Sequence, residues 1–269
     1  MDARQAVTFL HGVATCMPTV GRSDQETEDM PCRRCFEKAR DLNSQGISNC
    51  LLSLAKLDHC DEALVAELCK MVMSKAAEFS AQGLSNTLWS LATLDHYDKA
   101  VVVELLDEVT QKAADFKAQE LSNTLWSLAT LNYYDKPVVS RLCDRVMSKA
   151  AEFTAQGLSN TLWSLATLDH YDKALVAELC KMVMPKPREF TEQGLSNILW
   201  SLATLNYYNK AVVSRLCDRV MSKAAEFTAQ GLSNTLWSLA ALYHKDEAVL
   251  SHLYEQAMGK DSDFTAQNL

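Results

Sequence analysis

The chain has 269 residues, 48% apolar and 22% charged, with a formal net charge of −8. No apolar run approaches the ~20 residues needed to span a bilayer, which argues against a transmembrane protein, and the acidic balance counts against a polyanion as partner. Only 8 Gly and 5 Pro interrupt the chain, a composition that favours helix and allows a substantial buried core.

Residues 1–29 hold no clear repeat. Within them 1–23 carries Arg4, Arg22, the single acid Asp2 and the apolar middle AVTFLHGVATCMPTV, which suits either an organelle transit segment or a degenerate helix. Residues 30–44 read as a capping half-repeat, because Lys38, Leu42 and Gln45 fall in register with later columns. Cys32 and Cys35 form a Cys-x-x-Cys, but a zinc site needs two more ligands at matching spacing and none is evident, so no metal is expected. Cys69, Cys143, Cys180 and Cys217 share one slot of the repeat with Leu106 and Tyr254. A slot that accepts Leu or Cys is a packing slot. The odd count of 9 cysteines suggests a reducing compartment.

From residue 45 onward the chain repeats itself. Trp89, Trp126, Trp163, Trp200 and Trp237 are each 37 residues apart, Leu52 holds the place one period earlier, and Gln and Phe columns keep the same step. A fixed period between about 20 and 50 residues marks a stacked-repeat protein. Each period reads as helix–turn–helix. Helix A starts at a Ser or Thr after the Phe, as at Thr154 in FTAQGLSNTLWSLATL, and helix B is capped by Asp98, Asp135, Asp172 or Asp246, with Pro137 tolerated in a first turn. Helix B reads as one run through KALVAELCKMVMSKAAEF to the Phe. Neither helix can bury its apolar face alone, so stacking predicts an all-α fold, a right-handed α-solenoid of 37-residue repeats. The repeats number six over 45–269, and FTAQNL at 264–269 begins a seventh and stops, as in part of a longer array. Longer identities, such as VVSRLCDRVMSKAAEFTAQGLSNTLWSLA at 138–166 and again at 212–240, suggest recent copying of units.

On a helical wheel Leu84, Leu88, Leu91 and Ala92 form the core face of helix A. Opposite them lies a polar stripe of Gln82, Asn86, Ser90 and Thr93, bordered by Trp89. The later copies are Gln119, Asn123, Trp126 and Thr130; Gln156, Asn160, Trp163 and Thr167; Gln193, Asn197, Trp200 and Thr204; and Gln230, Asn234 and Trp237. An amide side chain offers both donor and acceptor to a base edge or a peptide unit. An indole offers a stacking face, and a base stacked on an aromatic ring gains about 1–3 kcal/mol. These columns are the candidate RNA-binding residues. The plainer reading stands beside each: Trp as packing between repeats, Asn as a tie to a neighbouring loop. Lys112, Lys149, Lys186 and Lys223, in a column that includes Lys75 and Lys260, are candidate phosphate contacts or helix C-terminal charges. Each has an acid three residues on, Glu78 and Asp115 among them.

The phrase QGLSNTLWSLATL, with Leu-Ser-Asn-x-Leu-Trp at 84–89 and its four later copies, resembles the heptatricopeptide and octotricopeptide repeat proteins of organelles. It is similar too to the helical repeats of FAST-kinase-like and RNA-editing substrate-binding complex proteins. The resemblance covers about 42–269 and implies an α-solenoid that binds single-stranded RNA in a mitochondrion or chloroplast and acts in its maturation, stability or translation. Because the stripe barely varies, failing only at Lys56 and Ala241, it points to a homopolymeric or unspecific strand. The rival reading is an armadillo-like scaffold that holds an extended, basic peptide or protein partner with the same amides, and a net charge of −8 suits it. No Gly-rich phosphate loop, zinc signature or nucleophile elbow appears, and His96, His170 and His244 share a turn slot with Tyr133 and Tyr207. The expectation is a binding protein without catalysis, cofactor, metal, membrane or small-molecule substrate.

Overall fold

The computed structural model describes residues 41–58 and 61–260. The extension 1–29, the part of the half-repeat with Cys32, Cys35 and Lys38, and the partial repeat at 264–269 lie outside the described residues. In chain order the α-helices are α1 (Ser44–Lys56), α2 (Glu62–Lys75), α3 (Ala81–Thr93), α4 (Lys99–Gln111), α5 (Ala118–Thr130) and α6 (Lys136–Lys149). They continue as α7 (Ala155–Thr167), α8 (Lys173–Val183), α9 (Glu192–Thr204), α10 (Lys210–Lys223), α11 (Ala229–Ala241) and α12 (Glu247–Met258). Odd-numbered helices are the A helices and even-numbered ones the B helices. Every regular element among the described residues is helical, and the fold is an α-solenoid.

Local chemistry fixes where each A helix begins and ends. Ser80 Oγ accepts from Gly83 N at 3.1 Å, and Asn43, Thr154, Thr191 and Thr228 do the same for Gly46, Gly157, Gly194 and Gly231. Such a cap satisfies one amide that has no partner within the helix. At α5 the cap position is Lys117, and its backbone N–H donates instead to Glu120 Oε2 at 2.7 Å. At the other end Leu94 N donates to Ser90 O at 2.9 Å and His96 N to Leu91 O at 2.9 Å. The residue between, Asp95, sits at φ 51, as do Asp58, Asn132, Asp169 and Asn206 within a degree or so. Asp and Asn tolerate this left-handed conformation better than most residues. His or Tyr fits the next slot because the turn needs only its backbone N–H.

B helices start on a carboxylate or amide: Asp98 Oδ1 accepts from Ala100 N at 2.9 Å, and Asp61, Asp135, Asp172, Asn209 and Asp246 cap likewise. They do not run on to the Phe as the sequence suggests. α2 stops at Lys75, and Ala76–Glu78 tightens into a 3-10 turn. The same turn recurs at Ala113–Asp115, Ala150–Glu152, Pro187–Glu189 and Ala224–Glu226. The Phe that follows is extended, φ −71 and ψ 136 at Phe79, and is buried. Bringing that ring into the core while reversing the chain toward the next A helix is what breaks the helix. α8 ends earlier still, at Val183, because Pro185 lacks the amide that would continue it.

The chain divides into two compact units, Met1–Leu142 and Cys143–Leu269. In the first, α3 packs between α1 and α5 and backs onto α4; in the second, α9 packs between α7 and α11 and backs onto α10. Leu84, Leu88 and Leu91 in one unit and Leu158, Leu162 and Leu165 in the other are fully inaccessible. Phe79, Phe116, Phe153 and Phe227 are almost wholly buried as well, and truncating one such ring costs about 3–5 kcal/mol.

Candidate nucleic-acid interface

Helices α3 and α9 each have neighbours on three sides, so only a narrow strip of them reaches solvent. In α3 that strip is Gln82, Asn86, Trp89 and Thr93, within about 60° of one another on the wheel. Gln82, Gln119, Gln156, Gln193 and Gln230 are exposed, and Asn86, Asn123, Asn160, Asn197 and Asn234 are half-buried. Thr93, Thr130, Thr167 and Thr204 are exposed, with Ala241 in their place on α11. Each strip thus has an exposed amide, a recessed amide and, in four copies, an exposed hydroxyl in line.

Ser90 is not on this strip, contrary to the helical-wheel expectation. It is wholly buried, and its Oγ donates to Asn86 O at 2.7 Å; Ser127, Ser164 and Ser201 repeat the bond. The expectation gave the helix one core face, that of the leucines, but its flanks are covered as well. Small side chains allow that close approach. Ser85 Oγ donates to Glu120 O on α5 at 3.1 Å, and Ser196 Oγ to Gly231 O on α11 at 3.2 Å. A helix whose flanks are covered needs small residues there, and these serines satisfy their hydroxyls on backbone carbonyls.

Trp89, Trp126, Trp163 and Trp200 are half-buried, and Trp237 is 50% exposed. Trp89 and Trp126 stand with ring centroids 6.3 Å apart and planes tilted by 31°. A base slipped between two indoles needs about 7 Å, two contact distances of about 3.5 Å. The gap is too small and too wedge-shaped. These two indoles pack on each other and leave no room for a base between them.

Where its contacts are seen, the lysine column is engaged by the protein's own carbonyls and carboxylates. Lys112 Nζ donates to Ala77 O at 2.7 Å and Phe79 O at 2.9 Å, and pairs with Glu108 at 2.8 Å. Lys75 Nζ donates to Leu42 O and Lys186 Nζ to Phe153 O, each at 2.6 Å. Lys223 lies 2.7 Å from Glu226 and 3.8 Å from Glu192. Lys149 is half-buried. Lys112 and Lys186 therefore bind carbonyls freed where the 3-10 turn of the preceding repeat gives way to the next A helix, and Lys75 binds the carbonyl of Leu42, one period before Phe79.

Between α1 and α3, on the side of their N-termini, lies a cavity of about 370 Å³. Gln45, Asn49, Gln82 and Asn86 line it, with Ser48, Gly83 and Glu78. The cavity joins the amides of two successive repeats, and the acidic residue Glu78 is part of its lining. Sequence reasoning paired Glu78 with its column lysine and missed this placement, although its recurrence at Asp115, Glu152, Glu189 and Glu226 was a visible signal. The cysteine slot has no nucleophilic chemistry to offer: burial pushes the Cys69, Cys143, Cys180 and Cys217 thiols up to about 12. At neutral pH they carry their protons and pack.

Comparison with known proteins bears on the ligand. No curated protein matches the chain. A family model described as RNA-editing substrate-binding complex 6 protein matches it twice, over residues 20–137 and 136–247. That supports the likeness to RNA-editing repeat proteins, and not one to heptatricopeptide or octotricopeptide repeats in particular. The two matches span most of the 269 residues, and the chain belongs to the RNA-editing substrate-binding complex 6 protein family.

Proposed function

We propose that this protein is a non-catalytic RNA-binding helical-repeat protein that holds single-stranded RNA on the exposed strips of its A helices. Family membership supports a role in RNA editing and processing in the mitochondrion and lends nothing to a chloroplast location. The observation that carries the reading is the strip itself: Gln exposed, Asn recessed and Thr exposed, in nearly the same residues on successive A helices of each unit. A uniform strip suits a uniform or unspecific strand, because repeats that read a base sequence vary at the reading positions. In this reading the strip makes hydrogen bonds to base edges and sugars, and the Trp side chains add contact area.

Binding of labelled single-stranded RNA and of a duplex, at two salt concentrations, tests it. The expected result is salt-sensitive binding of the single strand that Asn86→Ala with Asn160→Ala weakens at least tenfold while the helical content is unchanged. A second reading, a scaffold for a basic peptide, has its own support: Glu78 lines the amide cavity, and Lys112 and Lys186 are engaged with carbonyls. Tight binding of an arginine-rich peptide, with no RNA bound even at low salt, selects that reading.

A further inference from the structure

We infer that the cavity between α1 and α3 is a base pocket that selects nucleobases bearing an exocyclic amino group. The inference rests on the RNA-binding reading and says which bases that site takes. At about 370 Å³ the cavity falls in the size range of small-ligand sites, large enough for one splayed base.

Its polar set has a definite donor and acceptor pattern. Gln45, Asn49, Gln82 and Asn86 bring amides that both donate and accept. Glu78 is among the lining residues, and a carboxylate side chain accepts. A base that enters beside Glu78 must point a donor at it. Cytosine does so with its 4-amino group and adenine with its 6-amino group, and both then offer a ring nitrogen acceptor to the neighbouring amide N–H groups. Guanine has donors on its N1 and 2-amino groups. Uracil has one donor on that edge, its N3–H, with a carbonyl on either side, so pointing it at Glu78 sets two oxygens beside the carboxylate. An acidic side chain accepting from the cytosine amino group is a known mode of base discrimination. The carboxylate also repels phosphate, so the base and not the backbone must enter, with the strand running along the exposed Gln column.

Placement supports the same polarity. Ser44 Oγ, at the start of α1, donates to the Glu78 backbone carbonyl at 3.1 Å, tying the 3-10 turn to the preceding A helix at the rim of the cavity. The carboxylate is therefore carried on a turn anchored to both repeats that form the pocket.

The test compares 12-nucleotide oligo(C) and oligo(U) by fluorescence anisotropy at fixed salt, with the full chain and its Glu78→Gln variant. The two strands differ at the amino/carbonyl position and the adjacent ring nitrogen and are alike in size. The expected result is a preference for oligo(C) of about tenfold, reduced to within about twofold in Glu78→Gln, whose amide accepts either base. Equal affinities in the parent, or a preference that survives Glu78→Gln, overturn the pocket assignment and leave the RNA-binding reading standing. Binding of neither strand, or of an arginine-rich peptide alone, overturns both.

Discussion

Replacing Lys112 by Met separates a lysine that braces the fold from one that waits for phosphate. The ammonium is held by two backbone carbonyls, Ala77 O at 2.7 Å and Phe79 O at 2.9 Å, and by Glu108 at 2.8 Å. The Lys112 and Glu108 side chains are only 26% and 11% exposed. A hydrogen bond to a charged group contributes about 1.5–3 kcal/mol. The substitution also leaves the Glu108 carboxylate mostly buried without its partner, which adds cost, while the lost desolvation of the ammonium gives some back. The expected net destabilisation is about 2–4 kcal/mol. Lys70→Met is the control: its side chain is 70% exposed and its pair with Glu67 is a surface one, so its effect stays within about 0.5 kcal/mol. Urea unfolding followed by circular dichroism measures both, and hydrogen exchange in α3 and α4 localises the loss, since stacked repeats need not unfold as one unit. A Lys112→Met protein of unchanged stability, with weaker RNA binding and a shallower salt dependence, refutes the brace and restores the phosphate role.

Other outcomes follow from single atoms. Thr87, Thr124 and Thr161 bury hydroxyls with no partner, and Ile198 occupies the same slot on α9, so Thr87→Val with Thr161→Val raises the melting temperature, each change adding about 0.5–1 kcal/mol. Tyr243 stands at φ 53 where the earlier repeats place Asp or Asn, and it is 85% exposed. Tyr243→Asn therefore stabilises the protein by up to about 1 kcal/mol in the same melt. The thiols of Cys143 and Cys180 are raised from an ordinary 9.0 to about 12, by burial first. A raised pKa means that the folded state holds the proton more tightly than the unfolded chain. Stability is then insensitive to these groups below about pH 9 and falls as pH climbs from there toward 12. Urea midpoints measured from pH 8 to 10.5 fall only in the upper part of that range, and Cys143 and Cys180 resist a maleimide until denaturant is added.

Much of this protein is legible in its sequence because its interactions are local and repeated. The period, the caps at Ser80, Thr154 and Asp98, and the core leucines of helix A depend on residues a few positions apart, so periodicity alone gives them. The Gln, Asn and Thr columns came out on the open side for the same reason. What pattern could not give depended on the neighbouring repeat. Ser90 reads as polar and therefore exposed, but a helix between two others has buried flanks. Helix B reads as continuous through KAAEF, but Phe79 has to turn inward, and the turn it forces frees the carbonyls that Lys112 takes up.

By itself the sequence determined that the chain is a stack of helix pairs, how long each helix of type A is, and which side chains form its open strip, because capping and helical spacing act within a single repeat. Tertiary structure alone decided that Trp89 and Trp126 spend their faces on each other, that Lys75, Lys112 and Lys186 bind backbone carbonyls, and that Glu78 shares a cavity with the amides of two repeats. Each of those outcomes is a distance between residues about one period apart, and only the packing of one repeat on the next sets such distances.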